Sequence, residues 1–295
     1  MKIQIASDLH LEFYKDIPRN DTFFKKLVEP TDADLLILAG DIGYPEDAIT
    51  LQFLTYCCYT WPEVYWVFGN HEYYNKNPSH VWKYKKTVYT MEEKENLVPP
   101  LENLIAAHMH PDYEYGGIPI LGYTFWTDIL PTQGYPLTHT LADFTYIQQN
   151  DGFPLTLSEW TSRHAVARKE LLQNLDRLAL EGRKAIVVTH HLPTYAMILA
   201  KYQGSELNCG FAAHADDLVK HPGVALWICG HSHGQKVIQL EGTKIILNAR
   251  GYPREDAHII YNPKLTVDLS PSLCGASSEL SGAVRAPLPP PFSLE

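Results

Sequence analysis

The sequence predicts a layered α/β domain, and three observations predict it. Short apolar runs recur along the chain, stretches of helical period lie between several of them, and most of the runs stop at a cluster of Asp, Asn and His. The runs are IQIAS (3–7), DLLILAG (34–40), VYWVFG (64–69), KAIVVT (184–189), ALWICG (225–230), KIILNA (244–249) and AHIIY (257–261). They are apolar at nearly every position rather than at every second one, the pattern of strands covered on both faces.

Three helical stretches fall between these strands: 45–60, 78–96 and 157–182. The last is the clearest. Ser158 is read as its N-cap, Leu171, Leu175 and Leu178 supply the apolar spacing, and Gly182 follows its end. From about Val224 to Asp268 strands follow one another through short turns such as 241–244, which predicts a second, more antiparallel sheet. The segment 127–156 has weak periodicity and several Pro and Gly residues. It is too long for an ordinary connector, so it reads as a lid or an inserted cap, with Phe144, Tyr146, Ile147 and Phe153 available for packing. One domain over 1–269 is expected, followed by a Ser-, Pro- and Ala-rich tail over 270–295 that reads as disordered.

With 295 residues, 45% of them hydrophobic and 20% charged, the chain can build a core without a metal or disulfide staple. Its formal net charge of −10 argues against a general polyanion-binding surface, so long nucleic acid is a disfavoured substrate. A phosphate group bound through metal ions is still open, because an ion reverses the local field. The five cysteines (Cys57, Cys58, Cys209, Cys229 and Cys274) are odd in number, two are adjacent, and no C-x-x-C occurs. That is a poor disulfide framework and fits a reducing compartment. The opening MKIQIASDLH runs straight into a strand, and no apolar run approaches the roughly 18 residues of a membrane span. A soluble, cytoplasmic protein is therefore expected.

The polar strand ends carry the chemistry. Asp8 and His10 follow the first run, Asp41 the second, Asn70 and His71 the third, His190 and His191 the fourth, and His231 and His233 the fifth. In an open α/β sheet, ligands bind beyond the carboxyl ends of the strands. Asp8, His10, Asp41, Asn70, His190, His231 and His233 together offer four imidazoles, two carboxylates and one amide oxygen. Seven donors are too many for one tetrahedral zinc and suit two adjacent ions sharing a carboxylate. The mixed N/O set favours Mn, Fe, Zn, Ni or Co over Ca or Mg, and the lack of thiolate argues against a structural zinc site. Two carboxylates do not neutralise two such ions, so the site favours an anionic substrate. Taken singly, a D-x-H or a Gly-Asp is usually a turn; five such motifs at five strand ends are not explained as independent turns.

In this order, DLH, GD, GNHE, HH and GHSH resemble the motif series of the calcineurin-like metallophosphoesterase superfamily, matched at every position from Asp8 to His233. The resemblance implies a four-layer αββα sandwich of two mixed β-sheets flanked by helices, with a dinuclear centre of two divalent or trivalent transition-metal ions. It implies that Asp8, His10, Asp41 and His233 hold one ion, that Asp41, Asn70, His190 and His231 hold the other, and that Asp41 bridges them. His71 would be the general acid or orient the phosphate, and His191 would neighbour the ligand His190. The motif set supports in-line attack by a hydroxide bridging the ions, with His71 protonating the departing alkoxide.

Beyond the motifs, Arg250 and His191 are candidate substrate contacts, Asn248 is placed near the same rim, and Glu72 is either an orienting carboxylate or a turn residue. Tyr73, Tyr74 and Trp126 read as an aromatic wall or as core. The expected function is a metal-dependent phosphohydrolase acting on a small phosphorylated substrate, a phosphodiester or a nucleotide. The phosphodiesterase reading leads. A phosphomonoesterase or nucleotide pyrophosphatase is the alternative within enzymes. A binding scaffold that has lost its ligands is the alternative outside them, and the presence of all seven donors speaks against it.

Overall fold

Side chains alternate across a strand, so a run that is apolar at every position must be covered twice. The computed structural model describes residues 1–14, 21–74, 103–110, 113–149 and 152–270, and it meets that demand with two sheets stacked face to face. The first has five strands, in the order β11 (Thr266–Asp268), β1 (Lys2–Ala6), β2 (Leu35–Ala39), β3 (Glu63–Val67) and β4 (Leu104–Ala106). The second has six: β5 (Glu114–Tyr115), β6 (Ile118–Tyr123), β7 (Ala185–Thr189), β8 (Val224–Cys229), β10 (Thr243–Ala249) and β9 (Gly234–Leu240). Each sheet is parallel in its middle and antiparallel at an edge.

Leu35 and Ile37 of β2 face inward onto Ile120, Ile186, Val188 and Ile228 of the second sheet. Leu36 and Leu38 face outward, under α1 (Asp21–Leu27) and α2 (Ala48–Thr60), against Phe24, Phe53 and Leu54. On the far side, Val187, Trp227 and Ile245 are covered by α5 (Leu157–Leu180) through Leu171, Leu175 and Leu178. Burying each of those leucines contributes roughly 1.5–3 kcal/mol, enough to fix which face of α5 turns inward. The result is the four-layer αββα sandwich.

Several details differ from the sequence reading. The N-cap of α5 is Thr156, whose hydroxyl accepts from the Glu159 amide at 3.2 Å, and Ser158 lies inside the helix. The second sheet begins at Glu114 rather than near Val224. It is less antiparallel than expected, because β10 enters beside β8 and runs parallel to it. The run 257–261 is not a strand. Residues Ala257–Ile260 form a helical turn, α7, and Thr266–Asp268 takes the edge of β1. Ile259 and Ile260 are exposed, so nothing pulls this run into the sheet. The helix expected over 78–96 and the tail after Ser270 lie outside the described residues.

The sheets also touch directly. The Ser7 amide donates to the Asn248 carbonyl at 3.2 Å, and the Arg250 amide donates to the Ser7 carbonyl at 3.0 Å. The buried Asn248 side chain donates to the carbonyls of Ile5 and Asn262, so it ties strands together rather than reaching the rim. This junction brings the carboxyl ends of β1, β2, β3, β7 and β8 to one rim.

Candidate dinuclear metal centre

At this rim the chain leaves each strand abruptly, and the turns store strain. Asp8, His10, Asp41 and His231 have positive φ, at 54°, 50°, 53° and 68°. For residues other than Gly this costs on the order of 1–3 kcal/mol each and clusters where function over-determines the backbone. Gly69 is needed for another reason: a Cβ there would run into Asp41 Oδ1 and His190 Nε2. The turns are pinned by carboxylates. Asp8 accepts from the His231 amide through both oxygens, at 3.0 Å. Glu72 accepts from the amides of Gly69, Asp41 and Ile42 at 2.7, 3.0 and 2.8 Å, so it fixes the loops that carry Asp41 and Asn70.

The seven predicted donors converge. Asp8, His10 and His233 form one group with ligand atoms within 4.8 Å of one another, and Asp41, His190 and His231 form another; His10, Asp41 and His71 form a third between them. Asp41 Oδ2 lies 3.3 Å from His190 Nε2 and 3.9 Å from both His10 Nε2 and His71 Nε2, so it is central. Asn70 Oδ1 lies 3.0 Å from His190 Nε2.

The donor chemistry fits cations. His10 Nδ1 is 3.0 Å from Glu12 Oε1, and His233 Nδ1 is 2.6 Å from Glu255 Oε2. Each carboxylate holds a proton on the Nδ1 facing it, which leaves the two Nε2 lone pairs opposed at 3.1 Å. His190 is set in the same way: Nδ1 donates to the Ala39 carbonyl at 2.9 Å, and Nε2 faces the oxygens of Asp41 and Asn70. His231 Nε2 is buried and has no hydrogen-bond partner among the described residues. Such a cluster of acceptors demands positive charge. Burial opposes a charge on His190, yet Asp41 and Asp8 outweigh it and push the imidazole up to about 10. Burial also opposes ionisation of Asp41, but the surrounding His190, His71 and His10 hold its carboxyl well below the usual carboxylate range. Burial and the neighbouring His191 and His190 push His231 well down, into the neutral, ligating form.

His71 stands beside the cluster. Its Nδ1 is 2.8 Å from Glu12 Oε1, its Nε2 is 3.0 Å from Tyr252 Oη, and its ring stacks on Tyr74 at 4.2 Å. Burial works against a charge here too, but Asp41 and Glu12 prevail and raise it to about 9. A cavity of about 230 Å³ opens over Asp41, Asn70, His71, His231 and His233. Its walls are Tyr74, Thr140–Asp143, Tyr202, Phe211, Tyr252 and Glu255.

The remaining candidates fall elsewhere. Arg250 does not line this cavity; its guanidinium donates to Tyr14 Oη at 2.5 Å and lies over the Tyr14 ring. His191 is wholly buried behind His231, with rings 4.2 Å apart; Nδ1 bonds the Thr124 carbonyl, and burial with His190 pushes it down to about 3. Of the aromatic trio, Tyr74 lines the cavity, while Trp126 packs on Trp160 in the core and Tyr73 on Trp126. The segment 127–156 supplies α3 (Gly134–Thr140) and α4 (Asp143–Tyr146). Leu137, Phe144, Ile147 and Leu155 are buried there with Tyr74 and Trp160, whereas Tyr146 and Phe153 are exposed. The sequence reading missed Glu12, Asp143, Tyr252 and Glu255. Glu12, an acidic residue two positions after His10 in an apolar stretch, was the one signal available.

The calcineurin-like phosphoesterase family model matches residues 1–235. The chain belongs to this family. It is a metallophosphoesterase, a phosphoric ester hydrolase whose family implies a dinuclear metal centre. An uncharacterized protein of Acanthamoeba polyphaga mimivirus is 26% identical over 279 residues, covering 90% of this chain and 96% of that one. The crystal structure of a phosphopantetheinyl hydrolase from Mycobacterium tuberculosis superposes with a TM-score of 0.62 at 18% identity, covering 86% of this chain and 90% of that one, which is a likeness of fold. A dimetal phosphatase from Danio rerio gives a TM-score of 0.45 at 14% identity, covering 84% and 86%. Among the described residues, no helix is long and apolar enough to cross a membrane.

Proposed function

We propose that the metallophosphoesterase is a phosphodiesterase acting on a small diester, with Asp8, His10, Asp41 and His233 holding one transition-metal ion and Asp41, Asn70, His190 and His231 the other. The observation that carries the assignment is the opposed pair of Nε2 lone pairs on His10 and His233, each locked by a carboxylate at its Nδ1. The imidazole-rich donor set favours Mn, Fe, Zn, Ni or Co. When bound, such ions supply positive charge for the phosphoryl oxygens and lower the pKa of the attacking water to about 7.

The chain's own groups do the rest. His71, held by Glu12 beside the donors, gives the proton on its Nε2 to the leaving oxygen. A general acid matters most for poor leaving groups, such as the alkoxide of a diester. Leu141, Tyr202 and Phe211 offer apolar surface on the cavity wall for an organic arm, and the 127–156 segment acts as a cap that sets which arm fits. The cavity of about 230 Å³ suits a small substrate.

The test is hydrolysis of bis(p-nitrophenyl) phosphate against p-nitrophenyl phosphate, each with Mn, Ni, Zn or Mg and with a His71→Ala control. Faster cleavage of the diester, dependent on a transition metal, is expected; His71→Ala should cost little with p-nitrophenolate, which leaves without protonation, and about 10²–10⁴-fold with a diester of a poor leaving group such as phenolate. A preference for the monoester would replace the phosphodiesterase reading with a phosphomonoesterase one.

A further inference from the structure

Glu12 has no place in the motif series, yet it hydrogen-bonds two imidazoles of the centre. It is the second residue of the helical turn Leu11–Tyr14, directly after His10, and it is buried. One oxygen, Oε1, serves two imidazoles: His10 Nδ1 at 3.0 Å and His71 Nδ1 at 2.8 Å. The two rings stand edge to face with centroids 4.5 Å apart. We infer that Glu12 is a positioning residue with two roles, fixing His10 as a metal ligand and His71 as the proton donor through a single oxygen. The inference rests on the general-acid reading of His71 given above.

The geometry dictates both roles. A carboxylate at Nδ1 admits only the tautomer with its proton there, so the Nε2 of His10 is left as a lone pair directed at His233. The same oxygen fixes the plane of the His71 ring, whose Nε2 then points at Tyr252 Oη and into the cavity. During turnover the proton on His71 Nε2 passes to the leaving oxygen as its bond to phosphorus breaks. His71 is left neutral, still bonded through Nδ1–H to Glu12, and it regains a proton from water. Across the cluster, Nδ1 of His233 is held by Glu255. Among the described residues, Glu12 is the carboxylate that joins the acid to a ligand through a single oxygen.

Two variants test this. Glu12→Gln keeps the length and one acceptor but removes the charge, and Glu12→Leu removes the acceptor as well. The first readout is Mn²⁺ binding to the metal-stripped full-length chain by calorimetry, where Glu12→Leu is expected to weaken affinity about 10–100-fold. The second is the leaving-group dependence of the metal-saturated protein on phenyl and p-nitrophenyl diesters. The loss is expected to be larger for phenolate, the poorer leaving group. The third is a cycle with His71→Ala, in which Glu12→Leu adds little further loss of rate but still weakens Mn²⁺ binding. Native Mn²⁺ affinity in both variants, or rate losses that multiply with that of His71→Ala, overturns the inference. If Glu12→Leu does not fold, Glu12→Gln carries the same three comparisons with smaller shifts. If His71→Ala leaves phenyl-ester cleavage untouched, the general-acid reading falls and takes the His71 half with it, whereas the Mn²⁺ arm still decides the His10 half.

Discussion

The donor rim is made at the ends of β1, β2, β3, β7 and β8 and floors the cavity with Asp41, Asn70, His231 and His233, whereas the cavity walls come from turns and short helices: Tyr74, Thr140–Asp143, Tyr202, Phe211, Tyr252 and Glu255. On the floor the backbone is strained, the donors are buried, and nearly every side chain is fixed by two or more polar contacts. The walls are partly apolar and rest on a small core of their own, formed by Leu137, Phe144, Ile147, Leu155 and Trp160. The floor is thus committed to one chemistry, and the walls are free to select what is brought to it. Substitutions in the two regions should fail in different ways.

The largest effect is expected at Asp41, which faces His10, His71 and His190 at once. Asp41→Ala should lower kcat/KM for any ester by about a thousandfold or more, together with loss of bound ions, as read by elemental analysis. Gly69→Ala adds only a methyl group, but it meets Asp41 and His190. It should lower stability by roughly 1–3 kcal/mol in thermal or denaturant unfolding and reduce ion content. An alanine accepted there at native ion content would mean that the floor is less tightly built than its geometry states.

The same division explains what the sequence disclosed. Strands apolar at every position announced two-sided burial, and the donors at their ends were readable because each directly follows its strand. Glu12 and Glu255 were harder to see, since their value depends on imidazoles brought to them by folding: His71 lies 59 residues from Glu12, and His233 lies 22 from Glu255. Strands β4, β5, β6 and β9 are short, Gly-containing or alternating at a sheet edge, and so lacked the buried-strand signature. Ala257–Ile260 shows the converse. Its residues favour a strand, but the edge of β1 is taken by Thr266–Asp268. Arg250 follows a strand as the seven predicted donors do, but its side chain turns to Tyr14.

A histidine away from the carboxylates sharpens the comparison. His108 packs on Phe68 with ring centroids 4.3 Å apart, and burial, aided by the charge of His110, pushes it down to about 4. His71, more deeply buried but beside Asp41 and Glu12, is raised to about 9. For His108 the folded pKa lies below the unfolded value near 6.5, so the unfolded chain binds the proton first as pH falls. Its contribution is complete above about pH 6.5 and is lost between there and pH 4, amounting to about 2 kcal/mol at pH 5. His108→Phe should therefore flatten the loss of unfolding free energy between pH 7.5 and 5. An unchanged slope would place that acid sensitivity elsewhere.

The smallest effect should come from the boundary between the two regions. Tyr74 stacks on His71, and its hydroxyl is 3.4 Å from Asn70 Nδ2 and 3.3 Å from Asp143 Oδ2. It is one link by which the 127–156 segment reaches Asn70. Tyr74→Phe keeps the ring and its stacking and removes only that link. The hydrogen bonds are long, so the net loss should be about 1 kcal/mol, or two- to tenfold in kcat/KM for a diester. Ion content should be native, because Asn70 Oδ1 still faces His190 and the other six donors are untouched. If the variant loses ions as Asp41→Ala does, the 127–156 segment is part of the metal site, and floor and walls are one structure. If ions are retained and the loss falls mainly on KM, the 127–156 segment acts on substrate through Asp143 and Tyr74 while the floor stands without it.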